Sequence, residues 1–167
     1  LTMDPAEDFH GSVLITVTVT DDGGLSDDTD FVLNVDPVND APVMTAISDT
    51  SMAEDTPLTI TVFSSDVDSG TGPGDEDIPV YSTESSSPTD VIVTMIDDQL
   101  TMTPSNDFHG YVTITVTVTD DGGLSDETDF VLTVDPVNDA PVMTGIDSQS
   151  TDEESPLTLT VFSSDVD

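Results

Sequence analysis

The sequence predicts an all-β chain built of tandem antiparallel Greek-key β-sandwiches. Three observations carry that expectation. The longest runs alternate apolar residues with Thr, turn signals recur about every 8 to 12 residues, and the chain repeats itself at a spacing of 99 residues. Laid over 100–167 without a gap, residues 1–68 agree at 52 of 68 positions, so the chain holds about one and two-thirds copies of one unit. No stretch of useful length has helical periodicity.

Along one period the expected strands follow in order. "VMTAI" (43–47), "LTITVF" (58–63), "IPVYS" (78–82), "VIVTMI" (91–96) and "QLTMT" (99–103) are short apolar or Thr-rich runs bounded by Asp, Ser, Gly and Pro. "YVTITVTVTD" (111–120) puts Val112, Ile114, Val116 and Val118 on one face and Thr113, Thr115, Thr117 and Thr119 on the other, the period of a half-buried strand. The Gly-rich turn "DGGLSDE" follows, then "TDFVLTVD", in which Phe130, Leu132 and Val134 share a face. The last two runs read as a hairpin, and the seven together as an antiparallel sandwich of immunoglobulin-like kind.

The repeat divides the chain into three parts. Residues 39–138 are the complete unit with its linker, residues 1–38 match the last three strands of a preceding unit, and residues 139–167 match the first two strands of a following one. Neither flanking piece has a counterpart of residues 69–99, so neither closes a sandwich from this segment alone. The expectation is a window on a longer tandem array or the unit of a filament. A third arrangement, in which neighbouring copies complete each other's partial domains, would also yield a fibre.

Charge narrows the function classes. The chain has 36 acidic residues, no Lys or Arg, and a formal net charge of −36. Such a surface repels nucleic acid and anionic lipid, because phosphate binding is driven by Lys and Arg. Cys is absent, which excludes disulfides, and the absence of Lys excludes isopeptide cross-links to Asn or Asp. No run approaches the roughly 20 apolar residues of a membrane span.

The acids cluster at predicted strand ends: Glu54 in "AEDT", Asp66 and Asp68 in "SSDVD", Asp107 in "SNDFHG", Asp120 and Asp121 in "TDDGG", and the linker "DPVND". A chain entering a sandwich at one pole and leaving at the other places Glu54, Asp107 and the linker acids at the exit. Asp66, Asp68 and Asp120 then face the preceding linker. Two units in series bring both sets together, and hard oxygen ligands without Cys or His suit Ca²⁺.

This set resembles the cadherin repeat. "DPVNDAP" has the length of its acidic linker, "TDDGGLSD" is similar to its Asp-x-Gly to Leu-Ser hairpin, and "SSDVD" supplies its Asp-x-Asp, in the same order. Together with "DFHG" and "VNDAPV", the chain is more similar still to cadherin-like or immunoglobulin-like tandem repeats of large bacterial surface adhesins and secreted matrix proteins. The resemblance implies Ca²⁺ at a first junction held by Asp8, Asp36, Asn39 and Asp40 from below and Asp66, Asp68 and Asp120 from above. At a second junction it implies Glu54, Asp107, Asp135, Asn138 and Asp139, with Asp165 and Asp167 from the following unit. Asp21, the counterpart of Asp120, takes the same ligand place in the preceding unit, while Asp121 belongs to the turn. The family's Arg and its Asp are missing, and Val38 and Asn39 stand where it has Asn and Asp, which leaves two or three ions per junction open.

The resulting expectation is a calcium-stabilised structural repeat of a bacterial extracellular adhesin stalk or of a matrix or biofilm fibre. Its partners would be neighbouring copies or other fibre subunits. The alternative is an extracellular binding module whose Thr faces or 69–90 loop recognise carbohydrate, ice or another cell surface. His10 and His109 sit in "DFHG" with no nucleophile elbow or related context, so no enzyme is expected and both His read as structural. Met44 and Met143 read as packing residues, and the Pro of "APV" as a stiffener that keeps the linker out of the sheet.

Overall fold

The computed structural model describes residues 1–68 and 78–166, and these residues form only strands and loops. A hairpin comes first, β1 (Gly11–Thr20) and β2 (Ser26–Val35). The central sandwich contains β3 (Val43–Met44), β4 (Thr50–Ala53), β5 (Leu58–Thr61), β6 (Ser64–Ser65), β7 (Val80–Ser85), β8 (Val91–Ile96), β9 (Gln99–Pro104), β10 (Gly110–Thr119) and β11 (Ser125–Asp135). Two short strands, β12 (Val142–Met143) and β13 (Ser163–Ser164), pair near the C-terminus.

One sheet of the sandwich has the order β4-β11-β10-β7 and the other β5-β9-β8, with β3 and β6 forming a small ladder between the linker and the start of the sandwich. The alternation read along 111–120 is realised: Val112, Ile114, Val116 and Val118 are at most 2% exposed, as are Phe130, Leu132 and Val134 on β11, where Leu132 stands opposite Val112 and Phe130 opposite Ile114. Leu100 and Met102 of β9 and Val91 of β8 close the core from the second sheet, each at 0% exposure. Removing side chains of this size from water stabilises the fold by about 1.5–3 kcal/mol apiece.

Several details depart from the sequence reading. β4 lies in "TSMA", which carries one long apolar residue and gives little strand signal, and it pairs with β11 in parallel, with Leu132 opposite Thr50. Of the run expected at 58–63 only 58–61 form a strand, β5, and β6 follows at 64–65 in a different sheet. β7 includes Thr83–Ser85, which the composition assigned to a loop, because β10 offers those residues a ladder from Ile114 to Val116. Residues 69–77 of that loop, with Asp75, Glu76 and Asp77, lie outside the described residues.

The flanking pieces form less structure than their repeats. Residues 1–5 match β9 in sequence yet form no strand, and 157–160 match β5 and form none either. Each lacks the neighbour that β5 and β9 provide for one another. Met143 is 59% exposed while its counterpart Met44 is 7% exposed, so only Met44 is a packing residue here.

Candidate metal centres at the two linkers

The hairpin turn after β10 is organised by Asp120. Its backbone N–H donates to the Leu124 carbonyl at 3.0 Å, Gly123 N–H donates to the Asp120 carbonyl at 3.2 Å, and Leu124 N–H donates to Asp120 Oδ1 at 2.8 Å. Gly123 takes φ +87°, a left-handed conformation that glycine adopts at no steric cost. The turn thereby presents Asp120 Oδ2 toward the first linker, where Asn39 Nδ2 donates to it at 2.9 Å. Burial raises the Asp120 pKa, but the bonds from Asn39 and from the Leu124, Gly123 and Gly122 amides outweigh it and hold the carboxyl below its ordinary 3.8. A Cβ on Gly122 would stand 2.5 Å from Asn39 Cγ, so only glycine lets the linker come this close.

Asp40 N–H donates to Asp68 Oδ2 at 2.7 Å, and Asp68 N–H to Asp66 Oδ1 at 3.1 Å. Asp8, Asp36, Asp40 and Asp68 line one cleft of about 280 Å³, together with His10. The first junction thus places linker carboxylates against Asp68 from the sandwich, with Asp66 and Asp120 bonded alongside. Asp21 holds its own hairpin turn as its counterpart Asp120 does. Its Oδ1 accepts from Gly23 and Leu25 N–H, both at 2.9 Å, and so caps the turn of its own hairpin.

At the second linker Glu54 is 3% exposed. Its backbone N–H donates to the Asp135 carbonyl at 2.9 Å, and its Oε1 accepts from Val137 N–H at 2.6 Å. Glu54 Oε2 is buried without a hydrogen-bond partner; the closest base is His109 Nδ1 at 3.9 Å, on a side chain 60% exposed. Carboxylate oxygens of Asp55, the residue after Glu54, and of Asp107 and Asp139 lie within 4.8 Å of one another. Asp107 N–H donates to Asp55 Oδ1 at 3.4 Å, and Asn138 Nδ2 to the Asp139 carbonyl at 2.6 Å. Asp135 approaches through its backbone carbonyl, while Asp165 Oδ1 accepts from Val166 N–H at 3.0 Å. Asp167 lies outside the described residues.

Asp55 is the member of this cluster that the sequence reading left out. It reaches the site from a left-handed turn at φ +62°, and Asp107 from another at φ +58°. Asp and Asn tolerate that region better than other side chains with a Cβ. A signal existed in the repeat: Asp55 is matched by Glu154, also at φ +62°, so both units carry an acid at this turn. The converging oxygens of Asp55, Asp107 and Asp139 are hard ligands that fit a divalent cation such as Ca²⁺, and Glu54 at the same linker keeps a buried carboxylate oxygen without a hydrogen bond.

Fold and sequence agree on the class of protein. The bacterial Ig domain family matches residues 39–133, and the chain belongs to that family. None of the curated proteins matches it in sequence. Among solved structures, the chain is similar to human CDH23 EC21-23, at 21% identity and a TM-score of 0.59 over 93% of this chain and 54% of that one. It is also similar to the protocadherin gamma B7 extracellular cadherin domains 1-4, at 23% identity and a TM-score of 0.58 over 87% of this chain and 38% of that one. At these identities the likeness is one of fold: a cadherin-like, immunoglobulin-like all-β architecture. The chain spans about half or less of the length of both.

Proposed function

We propose that the chain is a calcium-stabilised structural repeat of a bacterial extracellular adhesin stalk or matrix fibre, with Ca²⁺ held at the linkers between successive sandwiches. The observations that carry this reading are the Glu54 carboxylate, 3% exposed, tied to the linker through Val137 and with no hydrogen-bond partner for its second oxygen, and the convergence of Asp55, Asp107 and Asp139 at the same linker. A buried carboxylate oxygen without a donor is costly, and a chain without Lys or Arg has no side-chain cation of its own beyond two His. Glu54, Asp55, Asp107 and Asp139 would hold an ion at the second linker, and Asp8, Asp36, Asp40 and Asp68 at the first. Bound there, Ca²⁺ would supply the positive charge that lets these carboxylates stay close. Asp66 and Asp120 act from beside the first site, as partners of Asp68 and of Asn39.

With the ion the linkers stiffen and the array becomes a rod; without it, clustered carboxylates repel and the units move independently. Extracellular calcium modules bind with Kd on the order of 10⁻⁴ to 10⁻³ M, which suits a calcium-rich surface environment. Small-angle scattering and thermal melts of the chain in millimolar calcium and in excess chelator test this. A longer maximum dimension and a higher Tm with calcium are expected. Identical curves in both conditions would leave the acids as solvated turns and end the proposal.

A further inference from the structure

The central sandwich grips both of its linkers, but a different half of each. On the exit side Val137 N–H donates to Glu54 Oε1 and Glu54 N–H to the Asp135 carbonyl, which ties residues 135–137 to the sandwich that they leave. On the entry side Asn39 Nδ2 donates to Asp120 Oδ2, Asp40 N–H to Asp68 Oδ2, and Met44 N–H to Asp126 Oδ2 at 2.8 Å. Pro42 and Met44 are buried there, so the chain from Asn39 onward is tied to the sandwich that it enters. Both linkers read "DPVNDAPV", at 36–43 and 135–142. A linker between two complete units is therefore held through its "DPV" by the unit before and from its Asn onward by the unit after. Only the step from Val to Asn lies between the two grips. Val38 and Val137 are 77% and 45% exposed, and among the described residues neither Asn39 nor Asn138 donates a hydrogen bond from its backbone N–H.

We propose that each linker bends at this one step and that a bound cation bridges it, the second clause resting on the calcium reading above. Prolines limit bending elsewhere. Pro37 and Pro136 fix their own φ and keep the preceding Asp extended, and Pro42 and Pro141 do the same for the Ala before them. Asp139 follows the bend, as Asp40 does, and Asp40 shows through its bond to Asp68 that the backbone there belongs to the unit after. The Asp139 carboxylate nevertheless meets Asp55 and Asp107 of the unit before. The first linker repeats the arrangement, because Asp40 shares its cleft with Asp8, the counterpart of Asp107. An ion on Asp55, Asp107 and Asp139 thus takes ligands from both sides of the bend. Without it these carboxylates repel, and the units swing about one step of backbone while both grips stay closed.

Amide hydrogen exchange in excess chelator locates the bend without reference to calcium. After correction for intrinsic rates, the Val137, Asp40 and Met44 amides should exchange about ten-fold or more slowly than those of Asn39 and Asn138. Exchange of Val137 or Asp40 as fast as that of Asn138 would overturn the proposal. One Gly inserted between Val137 and Asn138 tests the bridge. It leaves the grips intact but moves Asp139 by up to about 3.5 Å, well beyond the play in calcium–oxygen distances of about 2.3–2.6 Å. Calcium titrations followed at the Asp55 and Asp107 amides by NMR should show binding weakened about ten-fold or more, with the exchange pattern in chelator unchanged. Equal affinity in the two chains would overturn the bridge. Amide shifts that do not respond to calcium in the native chain would overturn the calcium reading and the bridge together, and the bend would then stand or fall by the exchange result.

Discussion

Replacing Glu54 by Gln alters one atom of a side chain that is 3% exposed and leaves the bond from Val137 N–H to Oε1 in place. The two readings of the site then predict different signs. In chelator the substitution removes a buried negative charge whose Oε2 has no hydrogen-bond partner, so stability should hold or rise slightly. In calcium it removes a ligand. For one site at a Kd between 10⁻⁴ and 10⁻³ M, 10 mM free calcium stabilises the native state by about 1.4 to 2.7 kcal/mol. For a domain of 60–100 residues this raises Tm by roughly 6 to 20 °C. Calorimetric melts at several calcium concentrations should show such a rise in the native chain and only a small part of it in the variant. If Glu54→Gln lost stability equally in chelator and in calcium, Glu54 would be a structural linker bond and the ion-site reasoning would fail.

Further expectations concern the same linkers. Asp107→Gly relieves a left-handed backbone at φ +58°, so in chelator it should lie within about 1 kcal/mol of the native chain, while its calcium-dependent rise in Tm shrinks. Gly122→Ala forces Asn39 away from Asp120 and should loosen the first linker, read as faster independent tumbling of the hairpin by NMR relaxation. Gly23→Ala, where a Cβ meets only Asp21, at 3.3 Å, should not. The folded-state pKa of Asp120 is depressed below 3.8, so its contribution is present above the unfolded value and is lost as pH falls through the lower folded value. Acid titration of stability should therefore show a steeper loss below about pH 4 in the native chain than in Asp120→Asn.

Much of the fold was legible because its signals are local. The alternation of Val112, Ile114, Val116 and Val118 needs only the period of two in a strand, and "DDGGL" carries its own turn chemistry. The acid-bearing strand ends were legible for the same reason, since Asp and Gly mark where strands stop. β4 was not legible. Its four residues owe their strand conformation to a parallel ladder with β11, not to their own pattern. Nor was Asp55 in the second site, because its membership follows from two left-handed turns that aim it at Asp107 and Asp139. The bond from Asn39 to Asp120 joins residues 81 positions apart, and the glycine that allows it reads in sequence as an ordinary turn residue.

The repeat separates the two kinds of information within one molecule. β1–β2 and β10–β11 have nearly the same sequence and the same register, Ile15 opposite Phe31 and Ile114 opposite Phe130. The sequence by itself therefore determined that both are hairpins, which residues share a face, and that acids gather at the linkers. Tertiary structure alone decided that Ile114 is 0% exposed while Ile15 stays partly exposed, and which carboxylates meet across each linker. Strand periodicity and turn chemistry act over a few residues, whereas burial and convergence of charge depend on segments that approach from far along the chain.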